Sequence, residues 1–278
     1  VPGVVDGWAR LLDDHGRLGL EAVLQPAIAA AEHGYAVAPR IAHDWAFFAD
    51  KLRAGVNTVR YLLPGGAVPR VGDVIRQPEL AAALRKIARD GRDAFYTGEI
   101  AEDIVTTLRK AGGLHSLDDF AAHTTEVTAP ISTRYRGYDV YQCPPNGPGL
   151  AMLVMLDILQ GFDLGQFDPM SAERFHLEAE AWRAAHAMRE RYICDPQHAP
   201  FDLAPIQAPA FADACRRGIA LDRVCARPRL PEPVGSDTIY VTVVDRERNV
   251  CSFISSIATP FGAAVVAEKT GILLQSRA

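Results

Sequence analysis

The chain has 278 residues, 49% of them hydrophobic and 23% charged, with a formal net charge of -5. That is apolar material enough for a sizeable core, in one large domain or two smaller ones. The mild acidity offers no basic footprint for a phosphate backbone, so nucleic acid is not an expected partner.

The longest apolar run, Leu150 to Leu159, is broken by Asp157. It falls short of the roughly 20 residues a membrane helix needs, and no membrane span is expected. The opening at Val1 shows neither an initiator Met nor a charged run leading into an apolar one, so no signal peptide is read there. Five cysteines, Cys143, Cys194, Cys215, Cys225 and Cys251, are odd in number and form no CxxC pair. They support neither a disulfide framework nor a zinc site, and lean towards a reducing compartment.

The first half reads as helical. Leu20, Val23, Leu24, Ala27, Ile28 and Ala31 follow an i, i+3, i+4, i+7 stripe, with Gly34 placed to end the helix and Pro26 to start or kink it. Pro78 opens a second helix with Leu80, Ala83, Leu84 and Ile87 on its apolar face and Gly91 as its stop. A third runs from about Gly98 to Ala111 around Ile100, Ile104 and Leu108; Ser116 with Asp119 forms a capping box for a short fourth.

Strands begin after residue 130. Two short runs rich in Tyr, Thr and Val flank a turn at Tyr135 to Tyr138. Pro148 to Gln160 is nearly all apolar and reads as a buried helix ended by Gly161. A long helix over Ser171 to Tyr192 is expected to place Phe175, Ala179, Trp182 and Ala185 near one face, and another covers Pro209 to Ile219. The stretch from Cys225 to Gly235 holds Pro228, Pro231 and Pro233 and reads as an exposed linker.

Thr238 to Asp245 and Val250 to Ile257 then read as a hairpin, in which Asn249 is a turn residue. If Asp245 and Asn249 flank the loop Arg246 to Arg248, counting outward places Thr238 opposite Ser256. Directly opposed Cβ atoms lie about 4.5 to 5.5 Å apart, so the two hydroxyls can share a hydrogen bond. A bulge would shift the pairing by one. Taken alone, two hydroxyl residues across a ladder are ordinary strand residues.

The surrounding text changes their weight. Gly235-Ser236-Asp237-Thr238 followed by Ile239 to Asp245 resembles the processing site and first small-subunit strand of the γ-glutamyltransferases. The likeness extends in order through Pro2-Gly3, Gly7-Trp8, Gln25-Pro26-Ala27, Phe95 to Gly98, Arg136-Gly137-Tyr138, Pro144-Pro145-Asn146, Asp195-Pro196 and Gly271 to Leu274. The chain is thereby identified as a member of that family of N-terminal-nucleophile (Ntn) hydrolases, in a divergent branch resembling oxamate amidohydrolase.

The resemblance implies a mixed α/β fold, the four-layer αββα sandwich, here as a central fragment. Residues 1–237 would belong to the large subunit, mainly helical with strands after 130. Residues 238–278 would begin the small subunit with its nucleophile hairpin, all within one structural domain. It implies self-cleavage of a precursor between Asp237 and Thr238. Thr238 would then be nucleophile and, through its freed α-amine, general base, with Ser256 supporting its hydroxyl. An α-amine has a pKa of about 7.7 to 8, so a useful fraction is neutral near physiological pH. No cofactor or metal is implied.

Two departures bear on substrate. Ala258 stands where the family typically carries an Asn that binds the glutamyl end, and Arg277 stands where Gln is usual. A guanidinium there can hold a substrate carboxylate by paired hydrogen bonds. The expected substrate is therefore a small acid amide. The rivals are a γ-glutamyltransferase or glutathione hydrolase, and a non-catalytic scaffold. The family's carboxylate-gripping arginine is expected upstream of Val1, and its acidic residue and oxyanion-hole glycines downstream of Ala278, so the fragment alone is expected to be incompetent. His176 and Glu180, four residues apart on one helix, are a competing metal reading that lacks an evident third ligand.

Overall fold

In the computed structural model, residues 1–195, 197–198, 201–225 and 239–276 are described. They fall into two compact units, within Val1–Thr125 plus Val234–Ala278 and within Glu126–Pro233, where the sequence reading had one structural domain. Most of the expected linker after Cys225 lies outside the described residues.

The first unit carries α1 (Val4–His15), α2 (Leu20–His33), β1 (Tyr35–Ala36), α3 (Pro39–Phe47), α4 (Ala49–Arg53) and α5 (Val56–Leu62). It continues through β2 (Val74–Ile75), α6 (Pro78–Asp90), α7 (Asp93–Tyr96), α8 (Glu99–Lys110) and α9 (Leu117–Ala121). The expected signals act where they were read. Gly34 and Gly91 end α2 and α6 with positive φ of 97° and 73°, a region in which a Cβ is penalised. The Ser116 hydroxyl accepts from the Asp119 amide while the Asp119 carboxylate accepts from the Ser116 amide, closing the box that opens α9.

The buried seam of α2 is narrower than its stripe: Leu24, Ile28 and Ala31 are buried while Val23 is exposed. Leu24 and Ile28 join Ile87 of α6, Ile100 and Ile104 of α8, Tyr96 and Phe120 in one core. Burying a side chain such as Ile104 stabilises by about 2 kcal/mol. A second cluster gathers Trp45, Leu52, Tyr61, Leu63 and Ile75. Val266 belongs to that cluster, and Ala267 and Leu274 to the first, so the C-terminal stretch is buried into both.

The second unit contains β3 (Ile131–Tyr135) paired antiparallel with β4 (Tyr138–Gln142), then α10 (Gly149–Gln160), α11 (Ala172–Tyr192), α12 (Ala204–Gln207) and α13 (Pro209–Arg217). Its core forms between α10 and α11 and corrects the expected face of the latter. Leu177, Ala181, Ala184 and Met188 are buried, at helical spacing; of the expected face Ala185 is buried with them, whereas Phe175, Ala179 and Trp182 are exposed. Trp182 instead stacks on His186, with ring centroids 3.8 Å apart. Small alanines let α10 approach closely, and that seam carries less hydrophobicity than the aromatic side.

The chain returns to the first unit as β5 (Ile239–Val244) and β6 (Val250–Ser255). Helix and strand are thus mixed, and among the described residues each sheet is a two-stranded antiparallel ribbon. Among those residues no helix is long and apolar enough to cross a membrane.

Candidate active site

The β5–β6 ribbon is organised from its turn. The Asp245 amide donates to the Asn249 carbonyl at 3.1 Å, the Arg248 amide donates to the Asp245 carbonyl at 3.2 Å, and Arg248 has φ 66°. This is a three-residue hairpin loop with its last residue left-handed. The Asn249 amide and side-chain Nδ2 both donate to the Asp245 carboxylate, at 2.7 and 2.8 Å. Those bonds hold the Asp245 carboxyl below its usual range and fix Asn249 as a turn residue.

From this turn the register runs outward without a bulge, from Val244 opposite Val250 to Ile239 opposite Ser255. It is the register expected from the sequence for every described rung. Asp237, Thr238 and Arg277, the processing bond, the expected nucleophile and the expected carboxylate ligand, lie outside the described residues. Ser256 follows directly after β6.

Past Ser256 the backbone curls. The Ser256 hydroxyl accepts from the Ala258 amide at 2.9 Å. Ala258, Phe261, Gly262 and Ala264 have φ of 75°, 59°, 51° and 52°. A non-glycine residue costs on the order of 1 kcal/mol in this region, so the surrounding structure must impose it. At Gly262 the constraint is also steric: a Cβ would sit 2.1 Å from the Leu274 carbonyl oxygen.

Three helices supply the clamp. From α4, the Lys51 ammonium donates to the carbonyls of Pro260 and Gly262 at 2.9 and 2.7 Å, and to the Thr259 hydroxyl at 3.4 Å. Phe261 packs near the rings of Trp45 and Phe48, centroids 5.8 and 6.2 Å away. From α5, Asn57 Nδ2 donates to the Val266 carbonyl at 3.0 Å and the Tyr61 hydroxyl to the Glu268 carbonyl at 2.9 Å. From α8, the buried Asp103 carboxylate accepts from the Lys269 amide, the Thr270 amide and the Thr270 hydroxyl.

None of these clamping residues stood out in the sequence. Asp103 carries the one readable signal, a carboxylate on the same helical seam as Ile100, Ile104 and Thr107.

The rival metal pair is not brought together on a common ligand. His176 Nε2 meets the Ala220 carbonyl at 2.7 Å, and Glu180 is bound by Arg183 at 2.5 Å. Among the described residues no three His, Cys, Asp or Glu side chains converge.

Comparison with known proteins agrees over the full length. The family model described as "Gamma-glutamyltranspeptidase" matches residues 1–278. The glutathione hydrolase-like YwrD proenzyme of Bacillus subtilis is 39% identical over 277 residues, covering 100% of this chain and 52% of that protein. The oxamate amidohydrolase proenzyme of Klebsiella pneumoniae is 33% identical, with 100% of this chain and 53% of that protein covered. Among solved structures, the cephalosporin acylase from Bacillus halodurans superposes with a TM-score of 0.89 at 35% identity, over 100% of this chain and 51% of that one. The chain therefore spans about half the length of the relatives it matches.

Proposed function

The chain belongs to the gamma-glutamyltranspeptidase family and shares the Ntn-hydrolase fold of its relatives, and from that premise we propose that the whole protein is a self-processing amidohydrolase with Thr238 as nucleophile. The observation that carries this reading is the unbroken β5–β6 register, from Val244 opposite Val250 to Ile239 opposite Ser255. One further rung in the same count pairs residue 238 with Ser256.

The chemistry follows from that pairing. In the precursor the Thr238 hydroxyl attacks the Asp237 carbonyl carbon, the C–N bond breaks as the acyl group moves from nitrogen to oxygen, and water hydrolyses the resulting ester. Asp237 becomes a carboxylate terminus and Thr238 gains a free α-amine. That amine then takes the hydroxyl proton as Thr238 attacks an amide substrate, and the substrate nitrogen leaves protonated. Water releases the acid from the acyl-threonine. Ser256 supports the Thr238 hydroxyl as donor or acceptor; no metal or cofactor takes part. Residues 1–237 and 238–278 would fall in the large and small subunits, and the relatives' names as proenzymes support such processing.

The preferred substrate in this reading is a small acid amide such as oxamate. Ala258 offers no side-chain hydrogen bond to a glutamyl group, and Arg277 has the charge and geometry to hold a carboxylate. The second reading, glutathione hydrolysis or γ-glutamyl transfer, draws on the glutathione hydrolase-like name of the 39% identical relative. An amine-acceptor titration separates hydrolysis from transfer, and unchanged kinetics in Arg277→Ala would remove that residue from the site.

The decisive experiment is intact-mass analysis of the purified full-length protein beside its Thr238→Ala variant. The wild type should give two fragments meeting at Asp237/Thr238, and Thr238→Ala a single inactive chain. A Thr238→Ala protein that still matures and hydrolyses oxamate refutes the nucleophile. A wild type that stays whole and inert favours a scaffold.

A further inference from the structure

Lys51 stands out among the clamping residues. Its three ammonium protons meet three oxygens, the carbonyls of Pro260 and Gly262 and the Thr259 hydroxyl, which lie 208 to 211 residues away in sequence. Gathering these oxygens on one point requires the backbone between them to double back, and Phe261 and Gly262 are left-handed at that place. Among the described residues no carboxylate lies within ion-pairing distance of Lys51. Its charge is balanced there by the loop's own dipoles, and burial holds its pKa below the usual lysine range.

The contact continues towards Ser256. The Thr259 hydroxyl lies 2.8 Å from the Ser276 hydroxyl, and the Ser276 amide donates to the Ile257 carbonyl at 3.0 Å, one residue from Ser256. The Thr259 amide also donates to that carbonyl, at 3.2 Å. A path of hydrogen bonds thus runs from Lys51 to the Ile257–Ala258 peptide, whose amide donates to the Ser256 hydroxyl at 2.9 Å.

We propose that Lys51 is a positioning residue, which fixes the loop of residues 257–262 and through it the direction of the Ser256 hydroxyl. The inference rests on the reading of Thr238 and Ser256 as the reacting pair. It differs from a general stabilising role because Asn57 and Tyr61 hold the same segment further on, at Val266 and Glu268. Those anchors lie ten or so residues past Ser256.

The test is the rate of self-cleavage of the full-length precursor, which needs no identified substrate, together with thermal melting of each variant. Lys51→Met should slow cleavage about tenfold or more, in line with the loss of charge-assisted contacts to the Pro260 and Gly262 carbonyls. Lys51→Arg, which keeps the cation and its donors, should recover most of the rate. Asn57→Ala should lower the melting temperature while leaving the rate within about twofold, because its anchor is remote. A wild-type rate in Lys51→Met overturns the proposal, and so does an equal slowing in Asn57→Ala at a matched loss of melting temperature. Should Lys51→Met not fold, Thr259→Val keeps the Lys51 contacts to the two carbonyls, removes the hydroxyl link together with its bond to the Gly262 carbonyl, and must slow cleavage about threefold or more; a wild-type rate there overturns it equally. Cleavage that proceeds in Thr238→Ala instead sinks the parent reading.

Discussion

Asp103 and Thr270 lie 167 residues apart in sequence, yet the Asp103 carboxylate accepts both the Thr270 amide at 2.9 Å and the Thr270 hydroxyl at 2.8 Å. The Lys269 amide reaches the same carboxylate at 3.0 Å. A buried side chain on α8 thereby closes the turn that ends the clamped segment.

Removing that carboxylate takes from the Lys269 amide and from the Thr270 amide and hydroxyl the buried acceptor they share. Asp103→Ala should lower the unfolding free energy by about 3 kcal/mol, and Asp103→Asn, which keeps one oxygen acceptor, by about half as much. Urea unfolding of the full-length protein measures both. Equal losses in the two variants would show that the hydrogen bonds are not the source.

Asp6 gives a pH dependence whose sign is fixed. Burial alone would raise its pKa, but hydrogen bonds from Thr125 and Arg92, together with the Arg92 charge, outweigh it and hold the carboxyl below 3.8. The Thr125 amide reaches it at 2.5 Å, and Arg92 pairs with it directly. A carboxyl depressed on folding contributes stability that is present above its unfolded pKa and lost as pH falls through the folded value. Asp6→Asn should therefore have the lower urea midpoint at about pH 6, with the gap closing as pH falls through the folded value of Asp6. A gap that stays constant would remove ionisation from the account.

Ala258 combines a left-handed backbone with the one position where the family resemblance expects Asn. Asn tolerates positive φ better than Ala. Ala258→Asn should thus raise stability by about 0.5 to 1 kcal/mol. It should also shift kcat/KM towards γ-glutamyl amides relative to oxamate. Thermal melting and competition between oxamate and a γ-glutamyl anilide test the two halves separately. A melting gain with no change in preference would place residue 258 away from the substrate.

The elements legible in the sequence are those with local punctuation. Pro78 and Gly91 bracket α6, the Ser116–Asp119 box opens α9, and the Asp245–Asn249 turn sets the β5–β6 register. The region from α3 to α5 was harder to read: Pro39 opens α3 as Pro78 opens α6, but the apolar residues that follow form no clear stripe and no glycine stop closes α3 as Gly91 closes α6. The face of α11 was misread because aromatic side chains outweigh alanines in any pattern of hydrophobicity, whereas close packing of α10 selects the alanines. Of the candidate site, the β5–β6 register that leads up to Ser256 was legible from the turn. Its support was not, because Lys51, Asn57 and Tyr61 bind backbone carbonyls, and a carbonyl carries no residue type to read.

Gly262 sets a boundary on how this lineage can vary. With the Leu274 carbonyl 2.1 Å from where any Cβ would stand, and a φ of 51°, every other amino acid collides with main chain that no rotamer change can move aside. Neutral drift is closed at this codon. Diversification of the neighbouring loop must proceed around a fixed pivot, by exchange at Ala258 or Phe261, and descendants with altered preferences should still carry the same hydrogen atom in place of a side chain there.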